Sequence, residues 1–416
     1  MSMPCRFFRH LTAVLIISTG SSLLTKADDW PQYLGPHRDG TSAATGLNWN
    51  WPSEGPPVVW SREVGAGFAG VVVADEKVIL FHRIDNEEVV EQLDAATGKP
   101  LWTFAYRTRY VDDFGFDPGP RATPLVADGR VFTLGANGDL HGLDAANGAK
   151  RWHRNLLAEY GANKGYFGVA CSPLLADGQL LVNVGAKRAG IVAFDPATGN
   201  EVWKATDDAA SYSSPTLGTI GGKQRAVFFT RAGLQALDPK TGAVAYSYPW
   251  RSRLDASVNA ATPLVYNGDV FLTASYGTGA VLLRPTGNDL AEVWSNDRSL
   301  SSHYNTPVRT GEFLYGVHGR QEGGAAQLRC VAWATGEVKW ARPRFGCASL
   351  IAVDGGLLAV TEGGELVRFD ADPAKYVERG RVKILNSVTR AAPALAEGRL
   401  FVRDSDRLVC LNLRRK

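Results

Sequence analysis

The stretch Asp195-Pro-Ala-Thr-Gly-Asn-Glu-Val-Trp203 constrains this chain more than any other, because it recurs. Its pattern is Asp, two residues, Thr-Gly, three residues and Trp. Asp94 to Trp102 repeats it in full, with Gly98 in the turn. Asp144 to Trp152 keeps it with Asn147 for Thr before Gly148, and Asp238 to Tyr246 keeps Gly242 with Tyr for Trp. Residues 333–340 keep the Thr-Gly and the final Trp340. Successive Asp positions lie 50, 51 and 43 residues apart. A unit repeating at such a period marks a propeller or a solenoid.

Elementary chemistry explains the unit. An apolar run such as Ile191-Val-Ala-Phe194 leads into it. Asp accepts bonds from backbone N–H groups two residues on, which opens a turn. Gly takes the positive φ that closes a hairpin. The next strand ends in a large ring that buries apolar area. The motif therefore reads as strand, turn, strand and aromatic anchor, with a structural role.

A second landmark is a small residue followed by Pro: Thr123-Pro124, Ser172-Pro173, Ser214-Pro215, Thr262-Pro263, Thr306-Pro307 and Ala392-Pro393. Pro opening a strand forfeits no needed ladder bond. Hairpin signals follow, including Asp128-Gly129, Asp177-Gly178, Asn267-Gly268 and Asp354-Gly355. Three turns per unit make four strands, which in the clearest unit fall at 123–127, 130–135, 139–143 and 149–154. Units begin near Phe68, Arg121, Ala170, Ser213, Ala260, Tyr304, Gly346 and Arg390. The expected fold is all-β: an eight-bladed β-propeller of four-stranded antiparallel blades. The last unit stops after its third strand. Residues 57–64, with Trp60 at the anchor position, read as the missing fourth strand, so an N-terminal strand completes the last blade and closes the ring.

Three segments are expected: a secretion signal at 1–27, an irregular arm at 28–56 and the propeller at 57–416. The first carries Arg6 and Arg9, a short apolar run from Leu11 to Ile17, and Ala27 before Asp28. The run is too short to span a bilayer. No Cys stands at a lipoprotein cleavage position, and a retained, uncleaved anchor is the alternative. The chain is thus expected to be periplasmic or secreted. Removing Arg6, Arg9 and Lys26 from the 45 basic residues leaves 42, against 42 acidic ones. A balanced charge offers no surface for nucleic acid. Cys171, Cys330, Cys347 and Cys410 fall on different blades, too far apart to bridge, so four buried thiols are expected. Trp30, Trp49 and Trp51 anchor the arm on the ring.

Motifs with chemistry are scarce. Gly65-Ala-Gly-Phe-Ala-Gly70 has dinucleotide-loop spacing, but strands follow it where a helix is required, so it reads as a blade connection. No zinc spacing, haem attachment motif, phosphate loop or Gly-x-Ser-x-Gly occurs. Position points to one site, the mouth of the central channel. The candidate ligand-binding residues there are Arg121, Tyr212, Arg253, Asp255, Asn259, His303, Tyr304, Asn305, Arg344 and Arg390. Such a mix holds an anionic or aromatic ligand by bidentate Arg bonds and stacking, or its members pair with one another across the loops. No catalytic residue and no metal ligand is assigned.

The repeat resembles the pyrroloquinoline quinone (PQQ) type of propeller blade, whose motif is Ala-x-Asp-x-x-Thr-Gly-x-x-x-Trp. Residues 193–203 match it as they stand, and 92–102, 142–152 and 236–246 match in part. Asp28 to Pro36 is similar to the opening of many exported members of obscure function. The resemblance implies one of two branches. Quinoprotein dehydrogenases bind PQQ with calcium and act on alcohols or sugars; many carry an adjacent Cys pair, absent here. The BamB-type branch is an eight-bladed scaffold without cofactor, anchored through a lipid-bearing Cys, also absent here. The expectation is a non-catalytic binding or scaffold module, a monomer needing no cofactor, with a PQQ- and calcium-dependent dehydrogenase as the alternative.

Overall fold

A computed structural model describes residues 29–254 and 257–415. The expected signal at residues 1–27 and Asp255 lie outside these described residues. Eight separate four-stranded antiparallel sheets follow one another around a ring. The first is Val72–Ala74, Lys77–Ile84, Glu87–Asp94 and Pro100–Arg107. The second is Leu125–Ala127, Arg130–Leu134, Asp139–Asp144 and Lys150–Asn155, within two residues of the strands read from sequence. In the eighth, Ala394–Ala396, Arg399–Arg403 and Arg407–Asn412 are joined on the outside by Val58–Glu63. Trp60 pairs with Cys410 and Glu63 with Arg407. The expected closure is therefore present.

Wherever it carries its Trp, the repeated motif clamps one blade to the next. The indole N–H of Trp60 bonds Ala95 O at 3.0 Å, Trp102 bonds Ala145 O at 3.1 Å, and Trp203 bonds Pro239 O at 3.2 Å. In each case the acceptor follows the Asp of the neighbouring blade's turn. The ring then lies flat on that turn's glycine. A Cβ on Gly242, whose φ is +72°, would stand 2.4 Å from the Trp203 ring. The glycine thus serves twice, for its backbone angle and for its bare face. Gly242→Ala is expected to cost about 2–5 kcal/mol from backbone strain and overpacking. An unchanged denaturation midpoint would refute this.

Four of the small residues before Pro (Thr123, Ser172, Ser214 and Thr306) form a second, inner set of bonds between blades. Gly70 N–H donates to Thr123 Oγ1, Thr123 N–H to Ser172 Oγ, Ser172 N–H to Ser214 Oγ and Thr262 N–H to Thr306 Oγ1, all at 2.9–3.0 Å. A hydroxyl at that position satisfies an amide of the preceding blade that would otherwise be buried and bare.

Residues 29–56 contribute no blade strand and cross the channel from the side of the inner hairpins. Trp30 exchanges backbone bonds with Val73 of the first blade, and Pro31 O accepts from Val126 of the second. Arg38 is 2% exposed. Its guanidinium donates to Pro215 O at 2.6 Å, Pro173 O at 2.9 Å and Ser172 O at 3.1 Å. Gly40 and Ser42 then bond Ala352 of the seventh blade.

The arm finishes at the seam between the seventh and eighth blades, where the clamp is broken. Gly380 occupies the register position that Trp203 and Trp340 hold elsewhere. The arm fills both vacancies. The Trp51 ring lies 3.9 Å from where a Gly380 Cβ would be. Leu413 O, equivalent to Ala95 O, accepts from Asn48 N–H at 2.7 Å.

Cys171, Cys330, Cys347 and Cys410 are all buried and free. Burial pushes the Cys171 thiol up to about 11, as it does Cys330 and Cys347. Thiol titration of denatured, unreduced protein is expected to find all four. A count near zero would overturn that.

Candidate functional site

With its far side closed by the arm, the channel becomes a cup of about 760 Å³. Tyr33 and Leu34 of the arm form part of its lining, together with Ser172, Ser214, Thr306 and Ser349 at the openings of the inner strands. Six residues predicted for the mouth line this cup: Arg121, Tyr212, His303, Tyr304, Asn305 and Arg390. Asp255 is not among the described residues. Arg253 and Arg344 are exposed and outside the lining. Asn259 is buried behind it, where its backbone O accepts from Tyr212 and Ser213 N–H and its Nδ2 donates to Thr230 O at 2.8 Å. It braces the wall from outside.

Each arginine of the cup has a carboxylate partner. Arg121 donates to Asp112 at 3.0 Å and to the carbonyls of Gly119 and Asp117, and lies over the Phe68 and Tyr110 rings. Burial favours a protonated Asp112, but three backbone amides and Arg121 outweigh it and hold this carboxyl below its ordinary range. Arg390 donates to Glu362 at 2.6 Å, with its guanidinium 5.3 Å from the Phe68 ring centre and 5.2 Å from that of Phe116. Burial opposes its charge, and Glu362 more than restores it. Arg320 pairs with Glu322 at 2.7 Å and covers the Tyr276 ring. The walls are thus charged group by group and balanced pair by pair.

His303 stands between Tyr276 Oη at 2.9 Å and Gln321 Oε1 at 3.1 Å. Burial lowers its pKa, which keeps the imidazole neutral near pH 7. The Tyr212 hydroxyl accepts from Tyr166 and Phe167 N–H at 2.7 and 3.1 Å, and burial raises its pKa.

The rim was not legible in the sequence. Phe114, Phe116, Tyr166 and Phe167 come from the two long loops between the first three blades. They pack against one another, with Phe114 and Phe167 ring centres 5.1 Å apart. Lys164 bonds Asp113 and Val111 O, which ties one loop to the other. Phe114, Phe116 and Tyr166 stay 55%, 51% and 42% exposed. Only the unusual length of these loops could have pointed to them.

The quinoprotein alternative requires a calcium shell of six to eight oxygens. Among the described residues no three His, Cys, Asp or Glu side chains are placed to hold a metal ion, and no two cysteines adjoin. The cup lining presents one carboxylate, Glu322, which pairs with Arg320 at 2.7 Å. The lining thus has no free carboxylate with which to hold calcium beside PQQ.

Comparison with known proteins follows the fold. The family model for outer membrane protein assembly factor BamB matches residues 52–164, 86–342 and 326–412. BamB of Burkholderia pseudomallei is 26% identical over 246 residues, covering 56% of this chain and 58% of that protein. The dehydrogenase subunit of the quinone alcohol dehydrogenase of Komagataeibacter europaeus is 30% identical over 127 residues, 29% of this chain and 17% of that one. The chain therefore spans well under two thirds of the length of either relative. The crystal structure of BamB from Moraxella catarrhalis superposes with a TM-score of 0.63 at 15% identity, over 86% of this chain and 98% of that one. Blade motif, ring closure and family match agree that this chain belongs to the PQQ-like propeller family described by outer membrane protein assembly factor BamB.

Proposed function

We propose that this chain is an exported, non-catalytic propeller that binds its ligand or partner through the aromatic-rimmed cup. One observation carries the reading: the cup has recognition surface without a reacting group. Its arginines are neutralised in place by Asp112, Glu322 and Glu362. Its histidine, kept neutral by burial, is fixed between two neighbours. A pocket of this size, mostly apolar with a few fixed polar groups, is the usual form of a binding site. Likeness to proteins named as assembly factors supports a scaffold class, and the apolar segment before Asp28 supports export.

The test is titration of the purified protein with PQQ and calcium, following absorbance and dye reduction with alcohols and sugars. The expected result is no spectral shift and no turnover. Micromolar PQQ binding with dye reduction would replace this reading by a quinoprotein dehydrogenase.

A further inference from the structure

We infer that the ligand of the cup is a neutral, polyhydroxylated ring compound of the saccharide class rather than an anion; this rests on the cup being the binding site. The charge arrangement leads to it. A site built for an anion presents cations in excess, with their donors free. Here every arginine of the lining sits beside its own carboxylate, at 3.0 Å for Arg121 with Asp112, 2.6 Å for Arg390 with Glu362 and 2.7 Å for Arg320 with Glu322. An incoming carboxylate or phosphate would meet a donor and a like charge together. A hydroxyl is both donor and acceptor, so it uses both halves of the Arg320–Glu322 pair, whose carboxylate also lines the cup.

The remaining polar groups of the wall have the same dual character. Asn305 and Gln321 present amides, and Ser172, Ser214, Thr306 and Ser349 present hydroxyls near the floor. None of these is ionic. Arginine–carboxylate pairs held on aromatic rings lose none of their fixed geometry when the ligand enters, so little side-chain ordering has to accompany binding.

The rim supplies the other half of saccharide recognition. A pyranose has flat faces of C–H groups, which bear slight positive charge and lie against the negative face of an aromatic ring. Phe114, Phe116 and Tyr166 offer such rings in one cluster at the mouth, half exposed. Exposed apolar side chains concentrated in one patch mark an interaction surface. A volume of about 760 Å³ is enough for more than one sugar ring.

The experiment is calorimetric titration and saturation-transfer NMR of the full chain with neutral trisaccharides (cellotriose, maltotriose, xylotriose, chitotriose) and, as an anionic aromatic probe, 4-hydroxyphenylacetate. Each is run against wild type and Phe116→Ala, whose exposed ring can be removed without opening the core. The expected result is binding of at least one trisaccharide, weakened at least tenfold in Phe116→Ala, with the anionic probe silent. Binding of the anionic probe alone, lost in Phe116→Ala, would overturn the saccharide assignment and leave the cup as the binding site. Trisaccharide binding unaffected by Phe116→Ala, or no binding of any probe at 10-millimolar concentrations (~10 mM, above the weak end of Kd values for specific ligands), would overturn both.

Discussion

Deleting residues 57–64 is expected to lower the melting temperature by about 10 °C or more and to make the protein self-associate. The segment is small, but its loss acts at two places. Val58–Glu63 is the outer strand of the eighth blade, paired from Val58–Leu411 to Glu63–Arg407. Without it, Arg407–Asn412 becomes a bare edge. Trp60 also carries the clamp to the first blade, through Ala95 O and against Gly98. A ring open at that seam has two ends, and neighbouring blades lose their mutual support. Scanning calorimetry and size-exclusion chromatography test this. Unchanged melting with a monomeric profile would sink the closure argument.

The second large effect is expected at Arg38. Arg38→Met should cost about 3–5 kcal/mol. The guanidinium holds the carbonyls of Ser172, Pro173 and Pro215, from two blades, and also bonds Gln32 of its own arm. A methionine fills the space and leaves those buried carbonyls without a partner. Burial draws the pKa of Arg38 down to about 10, which still leaves it charged at neutral pH. Arg38→Lys should fall between the two, since an ammonium on a flexible stem cannot replace a planar fork with five donors. Chemical denaturation reads the stability, and limited proteolysis within residues 29–51 reads release of the arm. An Arg38→Met midpoint equal to wild type would show that the strut does not matter.

Blade number and order were legible because the interblade clamp needs fixed chemistry at fixed spacing. Asp195, Gly199 and Trp203 each have one physical task, so the pattern survives in the letters. The small residue before each Pro was visible, but its task was not, because the partner amide lies on another blade. The arm gave no period to follow. Trp51 reads as a generic anchor until Gly380 is seen to lack its own ring. At the mouth, Arg121, Tyr304 and Arg390 could be placed by counting back from Thr123, Thr306 and Ala392. Arg253 and Arg344 could not, because loop residues follow no such register. The pairing of Arg390 with Glu362 joins two blades, and pairing of that kind decides whether a cup looks cationic or neutral.

The closing strand also dictates an order of events during synthesis. Val58 pairs with Leu411, so the first strand made must wait for the last. Translation proceeds from the N-terminus. Until the final blade emerges, Trp49, Trp51 and Trp60 lack the closing seam they occupy. Contacts this distant along the chain form slowly, and the waiting segment is rich in indole. Its dependence on holding chaperones should therefore end only when residues beyond 407 are free. A ribosome-stalled chain lacking that last stretch would keep its opening segment open to protease, even with seven blades already folded.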